Sequence, residues 1–190
     1  MRKVVFDIET RNDFGNSSFD PAKLDISMVC VYDSGTGTYD SFLEGELSRL
    51  WPIIEQADML IGYNSDHFDI PLLNRYYPGD LSRIKSLDLL KEVKNALGRR
   101  LRLDGIAEAT LGKHKIGHGA DAVRWWREGE IEKIRAYCLE DVKLTKELYE
   151  YALQNGKLKY KDLGQVREIK LDTSKWEEKR SSGMTHSLPF

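Results

Sequence analysis

The 190-residue sequence has only two cysteines, Cys30 and Cys138, and they lie far apart in the chain. Together with the lack of a secretory hydrophobic segment, this excludes a disulfide-stapled scaffold and favours a reducing compartment. No apolar run approaches the roughly 20 residues that a membrane-spanning helix needs. We therefore expect a cytoplasmic location.

The sequence also lacks an excess of one charge, because 29 Lys and Arg face 31 Asp and Glu, for a formal net charge of -2. This balance excludes a protein that coats nucleic acid through its overall charge, but it permits a local basic groove. The phosphate-binding P-loop, the Gly-x-Ser-x-Gly elbow and the dinucleotide fingerprint are absent too. The 41% of hydrophobic residues is enough for one well-buried core.

The order of the predicted elements favours an α/β domain with a mixed sheet. Three β-rich segments near the start predict an antiparallel meander, over residues 3–8, 26–32 and 38–43. Further strands are predicted at 59–63 and 82–88, with helices between and after them. The longest helical pattern covers 130–154, and Asn155-Gly156 is typical of a C-cap. A shorter helix is predicted over 104–111, with Asp104 as its N-cap.

The C-terminal part has its own pattern. Two short β-rich segments on either side of Leu163-Gly164 predict a hairpin, and the tail from Ser174 is polar enough for partial disorder. We therefore expect residues 1–155 to form the main domain, with 156–190 as a hairpin and polar tail appended to it.

Two acidic residues, Asp7 and Glu9, stand two positions apart at the end of the first predicted strand. Alternation along a strand turns both carboxylates to the same side of the sheet. An isolated Asp-x-Glu is often a solvated pair at a strand end. The flanking residues are apolar here, however, and an unpaired buried charge costs on the order of several kcal/mol. We therefore expect a cation beside these acids.

Two further polar clusters follow along the chain. One leads from the fourth predicted strand into a helix and contains Asn64, Asp66 and Asp69. The other lies in the long helix, where Tyr137 and Asp141 are four positions apart and share a face. Taken alone, Asp69 fits a helix-dipole partner and Tyr137 an ordinary half-buried aromatic.

In this order, the three clusters resemble the three motifs of the DEDDy class of 3′-to-5′ exonucleases. An Asp-x-Glu at a strand end precedes an Asn-x-x-x-Phe-Asp at the start of a helix and a helical Tyr-x-x-x-Asp. The sequence is most similar to the proofreading domain of family B DNA polymerases and to small stand-alone relatives, through Gly62–Ser65, Phe68–Pro71 and Tyr137–Val142. The resemblance runs from about Arg2 to Gln154 and implies a ribonuclease H-like mixed β-sheet flanked by α-helices.

The resemblance also implies hydrolysis with two divalent cations, Mg²⁺ or Mn²⁺, which hard oxygen ligands suit. In that mechanism Asp7 bridges both ions, and Glu9 and Asp141 complete the site of the nucleophile-side ion. Asp69 holds the leaving-group ion directly or through water, and Tyr137 orients the attacking water. Without metal these acids repel one another, so we expect some to bind protons tightly and activity to fall at low pH.

Contacts to the substrate are less sharply defined by the sequence. The resemblance implies that Asn64 lies near the terminal nucleotide. Phe68 is a candidate apolar wall, although core packing explains it more simply, and Thr10, at the strand end, is a further candidate substrate contact. Basic residues at Lys113 and Lys115 could follow the phosphates, together with Arg99, Arg100 and Arg102. Solvated loop charges explain those cations equally well.

The expected activity is therefore removal of nucleoside monophosphates from the 3′ end of DNA, preferably single-stranded. An exoribonuclease on the same scaffold is the first alternative, because no residue identified here reads the 2′-hydroxyl. A catalytically silent nucleic-acid-binding module is the second, although all five motif residues are present. The sequence does not identify a polymerase, helicase or repair partner.

Overall fold

A five-stranded mixed sheet forms the centre of the computed structural model, which describes residues 1–15, 19–114 and 119–178. The strand order is β3-β2-β1-β4-β5. The first three strands are antiparallel, whereas β4 runs parallel to β1 and β5 parallel to β4. The strands are β1 (Lys3–Thr10), β2 (Ile26–Asp33), β3 (Thr38–Leu43), β4 (Met59–Gly62) and β5 (Lys85–Asp88).

Helices cover both faces of this sheet. They are α1 (Leu47–Glu55), α2 (Asp69–Asn74), α3 (Leu89–Leu97), α4 (Leu103–Leu111), α5 (Gly119–Glu128) and α6 (Ile131–Asn155). Single 3-10 turns occur at Pro21–Lys23, Glu44–Glu46 and Leu81–Arg83. The α/β fold with a helix-flanked mixed sheet that the sequence predicts is confirmed.

The central position of β1 follows from its apolar residues on both faces. Val4, Phe6 and Ile8 pack into a core with α1 and α2, while Val5 packs into a second core with α3, α4 and α6. Each of these four side chains is at most 4% exposed. The sheet is therefore the middle of three layers, and side chains leave the end of β1 between two sets of helices.

Helix α6 is the longest element and ends where the sequence predicts. Its C-cap Gly156 adopts a φ of 64°, and the Gly156 amide donates to the carbonyl oxygen of Ala152 at 2.8 Å. A residue with a side chain would be strained in that left-handed conformation. Among the described residues, no helix has the length and apolar character needed to cross a bilayer.

The predicted C-terminal hairpin is present as β6 (Lys157–Asp162) and β7 (Gln165–Lys170), paired in a separate two-stranded sheet. Its apolar face joins the core that contains α4 and α6, through Leu158, Tyr160 and Ile169.

Residues 174–178, at the start of the polar tail, are packed, because Trp176 is 4% exposed and stacks on Tyr149 at 5.9 Å between ring centroids. Residues 179–190 lie outside the described residues, so partial disorder of the tail stays a prediction. One local expectation is wrong. Asp104 is not an N-cap, since α4 begins at Leu103 and Asp104 occupies its first turn. The earlier start buries Leu103 and keeps the carboxylate near the positive end of the helix dipole.

The hairpin turn carries a testable local strain. Leu163 has a φ of 49° and Gly164 one of 77°, the two positive values of a type I′ turn, and the Leu163 side chain is 94% exposed. Leucine is disfavoured there, whereas asparagine tolerates the left-handed region. We expect Leu163→Asn to raise the free energy of unfolding by about 0.5 to 1 kcal/mol in denaturant titrations.

Val166→Thr is the control for that substitution, since it changes an exposed residue of β7 in the same hairpin. It should leave the free energy of unfolding within about 0.5 kcal/mol of the wild-type value. A Leu163→Asn variant no more stable than wild type would contradict the strain argument.

Candidate active site

Three carboxylates converge at the end of β1. Asp7, Glu9 and Asp141 each offer an oxygen atom, and these atoms all lie within 4.8 Å of one another. Glu9 is 8% exposed and Asp141 3%, while Asp7 is half-buried. The alternation of β1 turns Asp7 and Glu9 to one face, as the sequence predicts, and α6 covers that face with Asp141.

The register of α6 on β1 is fixed beside this cluster. Cys138 is fully buried, and its Sγ donates to the carbonyl oxygen of Asp7 at 3.4 Å. Burial raises the pKa of the Cys138 thiol well above its ordinary value, which keeps it protonated as a donor. This contact places the neighbouring turn, with Tyr137 and Asp141, over the end of the strand.

Tyr137 is held in place by packing. It is only 1% exposed, and its ring meets the indole of Trp125 on α5 at a centroid distance of 5.8 Å and an interplanar angle of 72°. This edge-to-face arrangement fixes the ring plane. The contact between Trp125 and Tyr137 is not predicted from the sequence.

Asp69 approaches the same end of β1 from the other side. It is the first residue of α2, is 4% exposed, and its Oδ1 accepts a hydrogen bond from the Ile8 amide at 3.1 Å. Burial raises the pKa of Asp69 well above its ordinary value, and the negative charges of Asp7 and Asp88 raise it further. The expected high proton affinity of one acid is therefore found at Asp69.

The loop between β4 and α2 is shaped by one close approach and one shared acceptor. A Cβ on Gly62 would lie 2.4 Å from the Cβ of Ser65, so a side chain at this position would displace the loop. Asp88 accepts from the amides of Asn64 at 2.8 Å and Asp66 at 3.2 Å, and it also caps α3. Asp88 therefore both caps α3 and holds the backbone of the loop that carries Asn64.

A cleft of about 520 Å³ lies at this end of β1. All five predicted motif residues lie on its wall, as do the predicted substrate contacts Thr10, Asn64 and Phe68. Other lining residues are not predicted from the sequence, among them Asn12, Asp13, Phe14 and Val123. Phe14 packs edge-on against Phe68 with ring centroids 6.4 Å apart. The one sequence feature that indicates a role for Phe14 is its position as an aromatic residue in an otherwise polar stretch.

Most of the basic residues that the sequence offers as phosphate contacts lie away from this cleft or outside the described residues. Lys113 does not line the cleft; its ammonium group contacts both carboxylate oxygens of Glu147 at 2.7 Å. Arg99 pairs with Asp162 at 3.4 Å, on the hairpin. Lys115 lies outside the described residues. Of these cations Arg100 reaches the site loop, because its Nη2 donates to Oδ1 of Asn64.

The donor set fits a divalent cation. Carboxylate oxygens are the hard ligands that Mg²⁺ and Mn²⁺ prefer, and three of them converge here from a strand and a helix of the rigid core. Such a cation would also offset the repulsion among the acids.

The family model of the RNase H superfamily matches residues 4–153. The chain belongs to the RNase H superfamily. Among solved structures, the family B DNA polymerase from the hyperthermophilic archaeon Pyrobaculum calidifontis is similar to this RNase H superfamily chain, with a TM-score of 0.62 and 22% identity. The match covers 80% of this chain and 24% of the polymerase chain, and it shows the shared fold. The search of curated proteins gave no match.

Membership of the RNase H superfamily confirms the predicted fold family and supports a nuclease that uses divalent metal ions. The convergence of Asp7, Glu9 and Asp141 agrees with that general chemistry.

The raised pKa of Asp69 yields a prediction for the metal-free protein. The folded state binds the proton of the Asp69 carboxyl group more tightly than the unfolded chain does. Asp69 therefore lowers the free energy of unfolding as pH rises above the pKa that this group has in the unfolded chain. Asp69→Asn removes that effect and keeps an oxygen acceptor for the Ile8 amide. In EDTA at pH 7 it should raise the free energy of unfolding by about 1 kcal/mol or more. The gain should shrink as pH falls through the raised pKa.

Asp33→Asn is the matched control, because Asp33 is also buried but is paired. Arg2 donates to it through Nε at 2.9 Å, and this bond lowers the pKa of Asp33. Stability from Asp33 is therefore present above its unfolded-state pKa and lost as pH falls through the folded-state value, so Asp33→Asn should destabilise the protein at pH 7. If both variants lose stability in urea titrations at pH 7, the assignment for Asp69 is wrong.

Proposed function

We propose that this protein is a metal-dependent 3′-to-5′ exonuclease that releases nucleoside monophosphates from single-stranded DNA. The observation that carries the proposal is the convergence of Asp7, Glu9 and Asp141 within 4.8 Å, in the same cleft as Asp69 and Tyr137. The order of these residues along the chain resembles that of DEDDy exonucleases, and the RNase H superfamily fold agrees with it.

The acids account for metal binding in this proposal. Asp7, Glu9 and Asp141 would hold one divalent cation, and Asp69 would join Asp7 in holding a second. Bound there, the cations would supply charge neutralisation and a water of lowered pKa. The hydrogen bond from Ile8 holds the Asp69 carboxylate in a fixed orientation, so the chain preorganises this ligand before any cation binds.

Tyr137 has the geometry of a positioning group. Its ring plane is fixed by Trp125, and the residue lines the cleft that contains the acids. A phenol hydroxyl can both donate and accept a hydrogen bond. We assign it the task of orienting the attacking water toward the phosphorus.

The shape of the cleft suits one terminal nucleotide. Its volume of about 520 Å³ is within the range of small-ligand sites. Phe14 and Phe68 give it an aromatic wall, against which a base can stack without sequence preference. A cleft that holds one nucleotide supports removal of nucleotides one at a time. The choice of DNA over RNA rests on the resemblance to polymerase proofreading domains.

The activity is tested with 5′-labelled single-stranded DNA and RNA of matched sequence, each incubated with Mg²⁺, Mn²⁺ or EDTA. We expect a metal-dependent ladder that shortens DNA one nucleotide at a time from the 3′ end. Circular single-stranded DNA of similar composition should stay intact, because it has no end to enter the cleft. A ladder on RNA alone would make the protein an exoribonuclease, and cleavage of the circle would contradict the exonuclease assignment.

Asp7→Ala and Asp141→Asn should each lower the rate of this ladder at least about 100-fold, because each removes a metal ligand. Asp80→Asn is the control: Asp80 is an exposed acid that caps a 3-10 turn, and asparagine can keep that cap. It should retain wild-type activity. Unchanged hydrolysis by Asp7→Ala in purified, folded protein would refute the site.

Tyr137→Phe tests the positioning role in the same assay. It removes only the hydroxyl, so we expect kcat to fall about tenfold or more while KM changes less than about threefold. Tyr149→Phe is the control on the same helix, since Tyr149 is also buried but bonds to Glu177 outside the cleft. Equal losses in kcat for both variants, or a loss expressed mainly in KM for Tyr137→Phe, would contradict the role.

A further inference from the structure

A second depression, of about 350 Å³, adjoins the active-site cleft and shares Asn64 with it. We call it the basic cleft. It lies between the loop after β4, the start of α3 and the segment after α3, and its cationic side chains are Lys91, Lys94 and Arg100. The proposed exonuclease chemistry does not use any of these three residues.

The charges of the basic cleft are only partly balanced. Lys91 pairs with Asp66 at 2.8 Å, so its charge is compensated locally. Lys94 is exposed, and within the described ranges no carboxylate forms an ion pair with it. Arg100 bonds to the neutral side-chain amide of Asn64, and among the described residues it forms no ion pair, although the carboxylates of Asp66 and Asp88 also line this depression. The cationic groups of Lys94 and Arg100 are therefore available to an anionic ligand.

Arg100 is held at this position by its neighbours. The hydroxyl of Tyr63 donates to the carbonyl oxygen of Leu101 at 2.9 Å, which fastens the segment after α3 to the loop after β4. The backbone of the facing residue is held as well, because the backbone amide of Asn64 donates to Asp88 at 2.8 Å. Arg100 thus contacts a residue whose main chain is anchored.

The bond from Arg100 also orients the Asn64 side chain. Because its Oδ1 accepts from the guanidinium, the amide NH₂ of Asn64 is the group left to donate to a ligand. Asn64 therefore presents a donor at the boundary between the two clefts, and Arg100 and Lys94 line the second of them.

We propose that the basic cleft binds the phosphates of the substrate strand upstream of the scissile bond, with Arg100 and Lys94 as the contacting residues. The inference rests on the proposed function, since it assumes that the 3′-terminal nucleotide occupies the active-site cleft. A strand that passes Asn64 places its next phosphates beside Arg100 and then Lys94. The preferred substrate is accordingly a single strand of at least three or four nucleotides rather than a dinucleotide.

The first test is the dependence of KM on substrate length. For the wild-type protein with Mn²⁺, we expect KM for the terminal phosphodiester to fall about tenfold from a dinucleotide to a tetranucleotide, because the added phosphates reach the basic cleft. In the double variant Lys94→Gln/Arg100→Gln, KM should be nearly the same for both lengths. The same length dependence in wild type and double variant would overturn the inference.

The second test measures binding without hydrolysis. Fluorescence anisotropy of a 5′-labelled tetranucleotide in EDTA gives the dissociation constant at several salt concentrations. The double variant should show a salt slope lower by about 1.4, because each phosphate contact on a single strand contributes about 0.7. Arg49→Gln, an exposed cation on α1 at the opposite face of the sheet, should bind as wild type does.

The two tests separate this inference from the proposed function. Wild-type protein that hydrolyses no oligonucleotide with either metal would refute the exonuclease assignment, whereas the anisotropy measurement would still report on the basic cleft. Equal affinity and equal salt slope in wild type and double variant would refute the basic cleft alone, whatever the hydrolysis assay shows.

Discussion

The main constraint on this structure is the electrostatic repulsion among acidic side chains at the carboxyl end of its central strand, β1. Three carboxylates meet within 4.8 Å there, and Asp69 lies near enough for the charge of Asp7 to raise its pKa. Such an arrangement opposes folding unless rigid elements hold it and cations compensate it. The apolar faces of β1 and the length of α6 supply the rigid elements. Asp88 fixes the loop that brings in α2, at the cost of adding its own negative charge nearby.

Buried acids elsewhere in the chain show why this end of the sheet is special. Asp33 is as buried as the acids of the site, yet hydrogen bonds from Arg2 lower its pKa, so it remains charged and stabilises the fold. At Asp69 burial acts in the opposite direction, and neighbouring carboxylates reinforce it. The free-energy cost of such a buried carboxylate is compensated when a cationic ligand binds to it. This agrees with the metal chemistry of the RNase H superfamily.

Much of this site could be predicted from sequence because its parts are local patterns. The alternation of β1 aligns Asp7 with Glu9, and one helical turn aligns Tyr137 with Asp141. Contacts between distant segments left no such signal. The bond between Arg100 and Asn64, and the ion pair between Lys113 and Glu147, join segments that are far apart in the chain, so residue spacing does not predict them. Likewise, the polar composition after Ser174 gives no indication that Trp176 is buried. Its packing against Tyr149 holds residues 174–178 on the domain.

The central claim is that the acids at the end of β1 form a site for divalent cations, and metal-linked stability tests it most directly. Thermal unfolding of the purified protein should be followed as Mn²⁺ is added to wild type and to Asp7→Asn. A ligand that binds the native state raises Tm as its concentration exceeds the dissociation constant. The account predicts a rising Tm for wild type and little or no rise for Asp7→Asn. An equal response of the two proteins, or no response of wild type at millimolar Mn²⁺, would contradict it.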